Sequence, residues 1–191
     1  MPDPTAQPDY QAALAEIGRR IAASLAGTPP HALPIRMVIA GGTALHWHTG
    51  DRISKDVDAA FSHRIALPDD LDIAYLDADG SSALLYLDRN YNDTFALLHE
   101  DAYHDALPLS LPGVDPHVLD IRLLTPLDLA VSKLARFGQQ DREDIASLGR
   151  HGLIAELPLR QRAEQAMGGY IGDLARLRSS LDIACRMLAT R

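Results

Sequence analysis

The chain has little basic charge, one cysteine and no long apolar run. It contains 18 Lys and Arg against 26 Asp and Glu among 191 residues, which gives a formal net charge of −8. This balance excludes a generally basic surface that holds nucleic acid without specificity, although a local arginine cluster can still hold a phosphate backbone. One cysteine cannot form an internal disulfide. No apolar run reaches the roughly 18 residues that span a bilayer, so a membrane-spanning protein is excluded as well.

Length and composition match a globular protein of about one domain. The chain is 47% hydrophobic and 23% charged, which is close to the average of globular proteins. Its first residues lack both the basic segment and the apolar segment of a secretory signal. We therefore expect a cytoplasmic location.

The first third of the chain predicts a helix, a strand, a glycine turn and a second helix. Apolar residues recur at three- and four-residue intervals over 10–25 and stop at Gly27, which is typical of a helix with a glycine end signal. The apolar run over 35–40 predicts a buried strand, and a short helix over 41–48 follows it. Alternation over 56–61 predicts a second strand beside the first.

Short apolar runs in the middle of the chain predict the remaining strands of one mixed sheet. They lie over 83–87, 95–98 and 117–124 and are separated by Asp-Gly, Asn-Asp and Pro-Gly dipeptides. From Thr125 the period becomes helical, with Thr125 as N-cap and Pro126 at the first helical position.

These elements predict an α+β fold, a mixed β-sheet flanked by helices with a helical C-terminal part. We expect residues 1–125 to form the α/β core with its N-terminal helix. Residues 126–191 should form a helical part that packs on this core, with a short helix over 141–150. The C-terminal helix should present an apolar stripe of Tyr170, Leu174, Leu177, Leu181, Ala184 and Leu188.

The sharpest pattern is a glycine pair followed by two spaced carboxylates. Gly41, Gly42 and Thr43 come directly after the first predicted strand, and Asp56 and Asp58 follow after twelve further residues. A glycine pair lets backbone N–H groups and a helix N-terminus approach a phosphate group, and a hydroxyl adds a donor. Carboxylates two residues apart on a strand point to the same side, where they can hold Mg²⁺ ions. The pattern predicts phosphoryl transfer of the polymerase type.

A simpler interpretation is a tight turn followed by an acidic strand edge. The Asp-x-Asp spacing alone is not informative, because two more pairs repeat it in predicted loops, beginning at Asp70 and at Asp77. Only the first pair combines a preceding glycine turn, a strand and the residues Arg52 and Ser54 just before it.

Four segments, in this order, resemble the AbiEii-type nucleotidyltransferases. They are GGTAL over 41–45, RISKDVD over 52–58, LDLAVSKL over 127–134 and DREDI over 141–145. The resemblance spans about residues 35 to 150. It implies a polymerase-β-like nucleotidyltransferase fold and the activity of toxins from type IV toxin–antitoxin and phage-defence systems, whose better-understood members add nucleotides to tRNA ends.

The same resemblance implies roles for single residues. Asp56 and Asp58 would bind Mg²⁺, Lys133 would contact the triphosphate, and Asp144 would complete the catalytic set. The residues expected to hold the nucleotide are Gly41, Gly42, Thr43, Ser54 and Lys133.

Two of the candidate side chains have a structural alternative. Asp120 alternates with apolar neighbours in the last predicted strand, where it is either a third metal-binding carboxylate or an exposed strand residue. Lys133 lies in a predicted helix, where it is either an inward-pointing phosphate ligand or a surface lysine that extends its ammonium into water.

Other reactive residue types carry no predicted role. Asp141 fits a helix cap better than a site residue. His46 and His48 are two positions apart on a helix and diverge, so we interpret them as core or surface histidines. Cys185 is expected to be a small buried apolar residue.

The combined prediction is a Mg²⁺-dependent nucleotidyltransferase that moves a nucleoside monophosphate from an NTP to an acceptor hydroxyl. RNA, especially a tRNA 3′ end, is the acceptor that the resemblance implies. The alternatives are transfer to a protein or to a small molecule, or a degenerate member that binds an antitoxin protein. An RNA acceptor requires arginines near the site, and the candidates are Arg36, Arg52, Arg64, Arg122, Arg136 and Arg142.

Overall fold

The structure, a computed structural model, describes residues 5–93 and 96–189. Over these residues it contains six α-helices and seven β-strands in two sheets, which confirms the predicted α+β class. The helices are α1 (Pro8–Ser24), α2 (Gly41–Thr49), α3 (Pro126–Ser132), α4 (Gln139–Arg150), α5 (Glu156–Ala166) and α6 (Leu174–Ala189). The strands are β1 (Ile35–Ile39), β2 (Asp56–Val57), β3 (Ala59–Phe61), β4 (Asp72–Leu76), β5 (Ser82–Leu87), β6 (Leu107–Pro108) and β7 (Leu119–Leu123).

The chain divides into two compact units. The first comprises Met1–Tyr91 and Ala106–Leu123, and the second comprises Asn92–Asp105 and Leu124–Arg191. All seven strands, together with α1 and α2, belong to the first unit. Helices α3 to α6 belong to the second.

The larger sheet of the first unit is built on a buried central strand. Its order is β3-β1-β7-β6, with β1 parallel to β7 and antiparallel to β3. Successive apolar side chains of β1, Met37, Val38 and Ile39, are almost fully buried, so both faces of this strand are covered. The glycine turn that opens α2 follows directly at the end of β1.

The predicted single strand over 56–61 is two strands in different sheets, so the expectation of one mixed sheet was wrong. Strand β3 pairs with β1, with Val38 opposite Ala60, whereas β2 pairs with β5, with Asp56 opposite Tyr86. The chain changes sheets at Asp58, whose carbonyl accepts a 2.8 Å hydrogen bond from the amide of the residue after β1. An alternating pattern has the same appearance whether a strand stays in one sheet or crosses to another.

Of the three apolar runs that predicted further strands, two are strands in the structure. The runs over 83–87 and 117–124 correspond to β5 and β7. In the run over 95–98, residue 95 lies outside the described residues and residues 96–98 are not a strand.

Helix α1 packs on the smaller sheet, whose order is β2-β5-β4. Its apolar stripe includes Tyr10, Leu14 and Ile17, all essentially buried. The Tyr10 ring meets the ring of Tyr75 on β4 edge to face, with the centroids 5.6 Å apart. The periodicity of α1 therefore predicted both its helical state and its buried face.

Helix α3 of the second unit begins with the predicted cap. The Thr125 hydroxyl accepts a 3.0 Å hydrogen bond from the Asp128 amide, and Pro126 is the first residue of α3. In α6, Leu177, Leu181 and Ala184 of the expected stripe are buried. Across the described residues, every helix is too short or too polar to cross a bilayer.

Candidate functional site

The turn between β1 and α2 requires glycine and carries a carboxylate against its backbone. Gly41 has φ +57°, which a residue with a side chain rarely adopts. A Cβ atom at this position would lie 1.8 Å from Oδ2 of Asp58. The Asp58 carboxylate therefore occupies the space that a side chain would need, and it lies directly beside the glycine turn.

The second glycine is covered by the loop that precedes β2. A Cβ atom on Gly42 would lie 2.5 Å from the Ser54 hydroxyl and 3.0 Å from a terminal guanidinium nitrogen of Arg52. The Ser54 hydroxyl in turn donates a hydrogen bond to Oδ1 of Asp56. Glycine at position 42 thus allows a loop with a donor for the Asp56 carboxylate to approach the start of α2.

The Thr43 side chain connects the start of α2 to the backbone of Asp56. Its hydroxyl is fully buried and donates a 2.8 Å hydrogen bond to the Asp56 carbonyl. Since that proton is used, the Tyr10 phenol donates to Thr43 Oγ1 over 2.8 Å. Contact of Thr43 with the nucleotide stays a prediction, and the observed contacts give its hydroxyl the task of holding Asp56 in place.

Tyr10 supports the site through its hydrogen bond to Thr43, and nothing in the sequence indicated this role. It lies on α1 in an ordinary apolar stripe, and no local signal distinguishes it from a core aromatic. Burial raises the pKa of the Tyr10 phenol, more than the hydrogen bond with Thr43 lowers it. The phenol is therefore neutral at physiological pH and acts as a fixed donor.

His46 lies next to Tyr10 and is a core residue, which was one of the two predicted interpretations. It is fully buried, and its ring lies edge to face with Tyr10 at 4.8 Å. Burial lowers the pKa of His46, so its imidazole is neutral, with Nδ1 3.1 Å from the Asp51 carbonyl oxygen. Packed against Tyr10 and in contact with the Asp51 carbonyl, His46 has a structural role in the core.

Asp56 and Asp58 are the two carboxylates of the candidate Mg²⁺ site. Both are partly exposed, and they are separated by the buried Val57. Within residues 5–93 and 96–189, no three His, Cys, Asp or Glu side chains gather as a metal-binding group. Two carboxylates still fit Mg²⁺ that arrives with a nucleotide, because this ion commonly takes one or two carboxylates and completes its shell with phosphate oxygens and water.

Asp120 lies away from these two carboxylates. It is opposite Arg36 in the parallel register of β1 and β7, whereas Asp58 bonds to Ala40 just beyond the other end of β1. Four residues along a strand amount to about 13 Å. The Asp120 carboxylate accepts hydrogen bonds from Arg36 at 3.2 Å and from Arg122 at 2.8 Å. We therefore build the candidate metal site on Asp56 and Asp58 alone.

In the second unit, Lys133 and Asp144 form a buried ion pair. Lys133 is the C-cap of α3 and only 7% exposed, so the interpretation as a surface lysine was wrong. Its ammonium donates to Oδ2 of Asp144 over 2.6 Å. The other oxygen of Asp144 accepts a 3.0 Å hydrogen bond from Gln140. Two of the four residues that the resemblance assigned to catalysis are therefore direct partners.

Asp141 stabilises the start of α4, as its cap-like sequence position predicted. Its carboxylate accepts a 2.9 Å bond from the Gly138 amide and two bonds from Arg136. Burial alone would raise the pKa of Asp141, but the bonds from Arg136 and Gly138 outweigh it and leave this pKa below its ordinary value. Asp141 also lies 4.0 Å from the Lys133 ammonium and limits the positions open to it.

Comparison with known protein families identifies the family of this chain. Residues 19–166 match a family described as nucleotidyltransferases of unknown function (DUF6036). The chain belongs to this family. A search of curated proteins finds no match.

Membership of this nucleotidyltransferase family supports the general class that the sequence predicted and leaves the AbiEii type as a finer proposal. The matched segment contains both carboxylates, the glycine turn, Lys133 and Asp144. Tyr10 lies before it.

The arginines of this DUF6036 chain are largely engaged by its own side chains. Arg36 and Arg122 both contact Asp120, and Arg136 contacts Asp141. The Arg142 guanidinium lies 5.9 Å from the centre of the Phe137 ring. Three of the six candidate arginines near the motifs are thus paired with carboxylates of the chain itself.

Proposed function

We propose that this chain is a Mg²⁺-dependent nucleotidyltransferase with a polymerase-β-like fold of the AbiEii type. It transfers a nucleoside monophosphate from an NTP to an acceptor hydroxyl. The observation that carries the proposal is the Asp58 carboxylate lying against the Gly41 turn, with Asp56 two residues before it. In this proposal the two carboxylates hold the metal beside the N-terminus of α2, where backbone N–H groups favour anions.

In this proposal each residue of the first unit has one task. Asp56 and Asp58 hold Mg²⁺, which when bound neutralises charge on the phosphates of the NTP. Gly41 and Gly42 let the phosphates approach the backbone. Ser54 and Thr43 hold the side chain and the backbone of Asp56 in place, so the metal-binding geometry is set before the nucleotide arrives.

The proposed reaction is a single displacement at the α-phosphorus. The acceptor oxygen forms a bond to the α-phosphorus, the bond from that phosphorus to the bridging oxygen of the β-phosphate breaks, and pyrophosphate leaves with the electron pair. The acceptor proton passes to water or to a carboxylate. No oxidant or other co-reactant is needed.

Lys133 and Asp144 are assigned to the same reaction by the resemblance. A lysine contacts phosphate as a point charge, and Asp144 would hold its ammonium in one position. The Lys133–Asp144 distance of 2.6 Å supports a positioning role for Asp144 rather than direct contact with the substrate.

The acceptor that the resemblance implies is RNA, with a tRNA 3′ end as the leading candidate. Transfer to that end would stop translation and would make the protein a toxin, neutralised by a cognate antitoxin. This part of the proposal rests on the four motifs alone.

A protein or small-molecule acceptor is the second candidate, and one observation favours it. Three arginines next to the motifs are paired with Asp120 and Asp141, which leaves fewer cations for an RNA backbone. The glycine turn and the carboxylates would serve any hydroxyl nucleophile equally.

The test is transfer of label from each of the four NTPs, α-³²P-labelled, to total RNA or to cell protein in Mg²⁺. We expect Asp56→Ala and Asp58→Ala to abolish transfer while the proteins stay folded, because each removes a metal ligand from a partly exposed position. Asp79→Ala is the matched control, since it alters an Asp-x-Asp pair in the β4–β5 turn. Full transfer by either active-site variant would refute the assignment.

A further inference from the structure

The outward side of strands β4 and β5 is an uncovered apolar surface. Ala74 and Leu76 of β4 lie on the same side as Leu84 and Tyr86 of β5, with Ala74 opposite Leu84 in the antiparallel register. Leu76 is 54% exposed, Leu84 43% and Tyr86 38%. We call these four residues the β4–β5 face.

The reverse side of the same strands is already part of the core. Tyr75, Leu85 and Leu87 point that way and are buried, and α1 packs against these strands. The strands therefore do not need the β4–β5 face for their own stability. Contiguous exposed apolar residues on an otherwise satisfied sheet mark an interaction surface.

The β4–β5 face is continuous with the candidate metal site. Asp56 on β2 is opposite Tyr86 in parallel register, and Asp72 on β4 is opposite Tyr86 on its other side. Residues in register across neighbouring strands point to the same side of the sheet. A molecule on this face therefore lies next to the Asp56 carboxylate.

Charge selects the kind of molecule that fits. Residues 65–88 contain six aspartates and no lysine or arginine. Asp72 lies on the same side as the face, and Asp79 is exposed in the turn that connects its strands. Arg20 approaches one member of this group, Asp70, at 3.1 Å. Such a surface repels a nucleic-acid backbone and attracts cations.

We propose that the β4–β5 face docks an extended protein segment in which lysine or arginine alternates with apolar residues. The apolar side chains cover Leu76, Leu84 and Tyr86, while the cations lie near Asp72 and the turn. The acidic surroundings disfavour RNA as the partner, and the strand register puts the docked segment beside Asp56. Docking itself does not require the proposed nucleotidyl transfer.

The test uses fluorescence anisotropy with a labelled hexapeptide that alternates lysine and leucine, without NTP or metal. Matched probes are the same peptide with glutamate for lysine, and single-stranded oligouridine. We expect the lysine peptide to bind, its affinity to fall with added salt, and the glutamate peptide and the oligouridine to show no binding.

Protein variants locate the binding. Leu76→Ser with Leu84→Ser should weaken the lysine peptide at least about tenfold, which is the size expected for central apolar contacts of an interface. Leu157→Ser is the matched control, because Leu157 is 64% exposed on α5. Asp72→Asn should weaken binding, while Glu164→Gln on α5 should not. Every altered position is exposed, and a thermal melt of each variant checks its fold.

Several results would overturn the proposal. They are equal affinity for the lysine and glutamate peptides, no binding of the lysine peptide, or binding that the Leu76→Ser, Leu84→Ser variant retains. Oligouridine binding that this variant abolishes would make the face a nucleic-acid site. Self-association in sedimentation that it abolishes would make the face a contact between two copies of this chain.

Discussion

At the scale of single residues, the site depends on two glycines that make room for particular side chains. Gly41 combines a positive φ with the close approach of Asp58, and Gly42 makes room for Ser54. The sequence predicted the glycine pair and its use near phosphates. It could not predict that a carboxylate packs against Gly41, because that contact joins residues far apart in the chain.

Gly41→Ala should therefore reduce nucleotidyl transfer far more than it reduces stability. Alanine in a left-handed conformation costs about 1–2 kcal/mol. The added Cβ also displaces the Asp58 carboxylate from its position 1.8 Å away, and misplacement of a reacting group by about 1 Å can cost roughly 100-fold in rate. Label transfer and urea unfolding, measured on the same variant, separate these two effects.

Gly80→Ala is the control for that experiment. Gly80 also has a positive φ, of 80°, but nothing lies within 4 Å of an added Cβ. This variant should show a similar loss of stability and full activity. Equal activities of the two alanine variants would contradict the account of Gly41.

Also at this scale, the hydrogen bonds from Tyr10 to Thr43 and from Thr43 to the Asp56 carbonyl were beyond prediction. The three residues come from α1, α2 and β2, and only the folded chain brings them together. The spacing of residues in the sequence indicated which residue types form the site. The hydrogen bonds that link Tyr10, Thr43 and Asp56 behind it depend on tertiary packing.

At the scale of elements, α3 and α4 are joined by charge as well as by apolar contacts. The Lys133 ammonium and the Asp144 carboxylate are both nearly inaccessible to solvent. Removal of one member of a buried pair leaves an uncompensated charge, which is costly, whereas removal of both can be nearly neutral.

We expect Lys133→Met to destabilise the protein by about 3–5 kcal/mol in urea unfolding. Lys133→Met combined with Asp144→Leu should recover most of that loss and still lack nucleotidyl transfer, because the lysine is absent. Arg160→Met is the control, since Arg160 and its partner Asp182 are 34% and 52% exposed and their pair should matter much less. A stable and active double variant would remove Lys133 from the proposed mechanism.

Elements that are determined by local sequence signals were predicted, whereas features that depend on tertiary contacts were not. Helix α3 was predicted at its start because Thr125 and Pro126 are local signals, and α1 was predicted from its periodicity. The change of sheet at Asp58 was not predicted, because it is decided by which strands β2 and β3 meet. Likewise, α4 begins at Gln139, before the expected Asp141, because the Asp141 carboxylate reaches back to the Gly138 amide.

At the scale of the whole molecule, net charge was readable from the sequence but its distribution was not. Arg36, Arg122 and Arg136 near the motifs are paired internally. The chain also concentrates six aspartates over 65–88, a stretch without basic residues. Both facts limit how much of an RNA backbone the protein can hold.

We expect tRNA binding to be weak and only modestly dependent on salt. If at most three of the six candidate arginines contact phosphates, the slope of log affinity against log salt should be no steeper than about −2, at roughly 0.7 per single-strand phosphate. Filter binding across a salt series measures this slope. A clearly steeper slope would mean that the internal arginine pairs open to RNA and would favour the RNA acceptor over the protein or small-molecule acceptor.

The central claim is that Asp56 and Asp58, held beside the glycine turn, bind a divalent metal together with a nucleotide. The most direct measurement is Mn²⁺ binding by electron paramagnetic resonance, with a non-hydrolysable α,β-methylene analogue of each NTP, because it needs no acceptor. The wild-type chain should bind Mn²⁺ more tightly with at least one analogue than without nucleotide. Asp58→Asn should weaken that binding at least about tenfold, as expected for loss of a charged ligand, and Asp79→Asn should not. Equal Mn²⁺ affinity in the wild type and in Asp58→Asn would contradict the account.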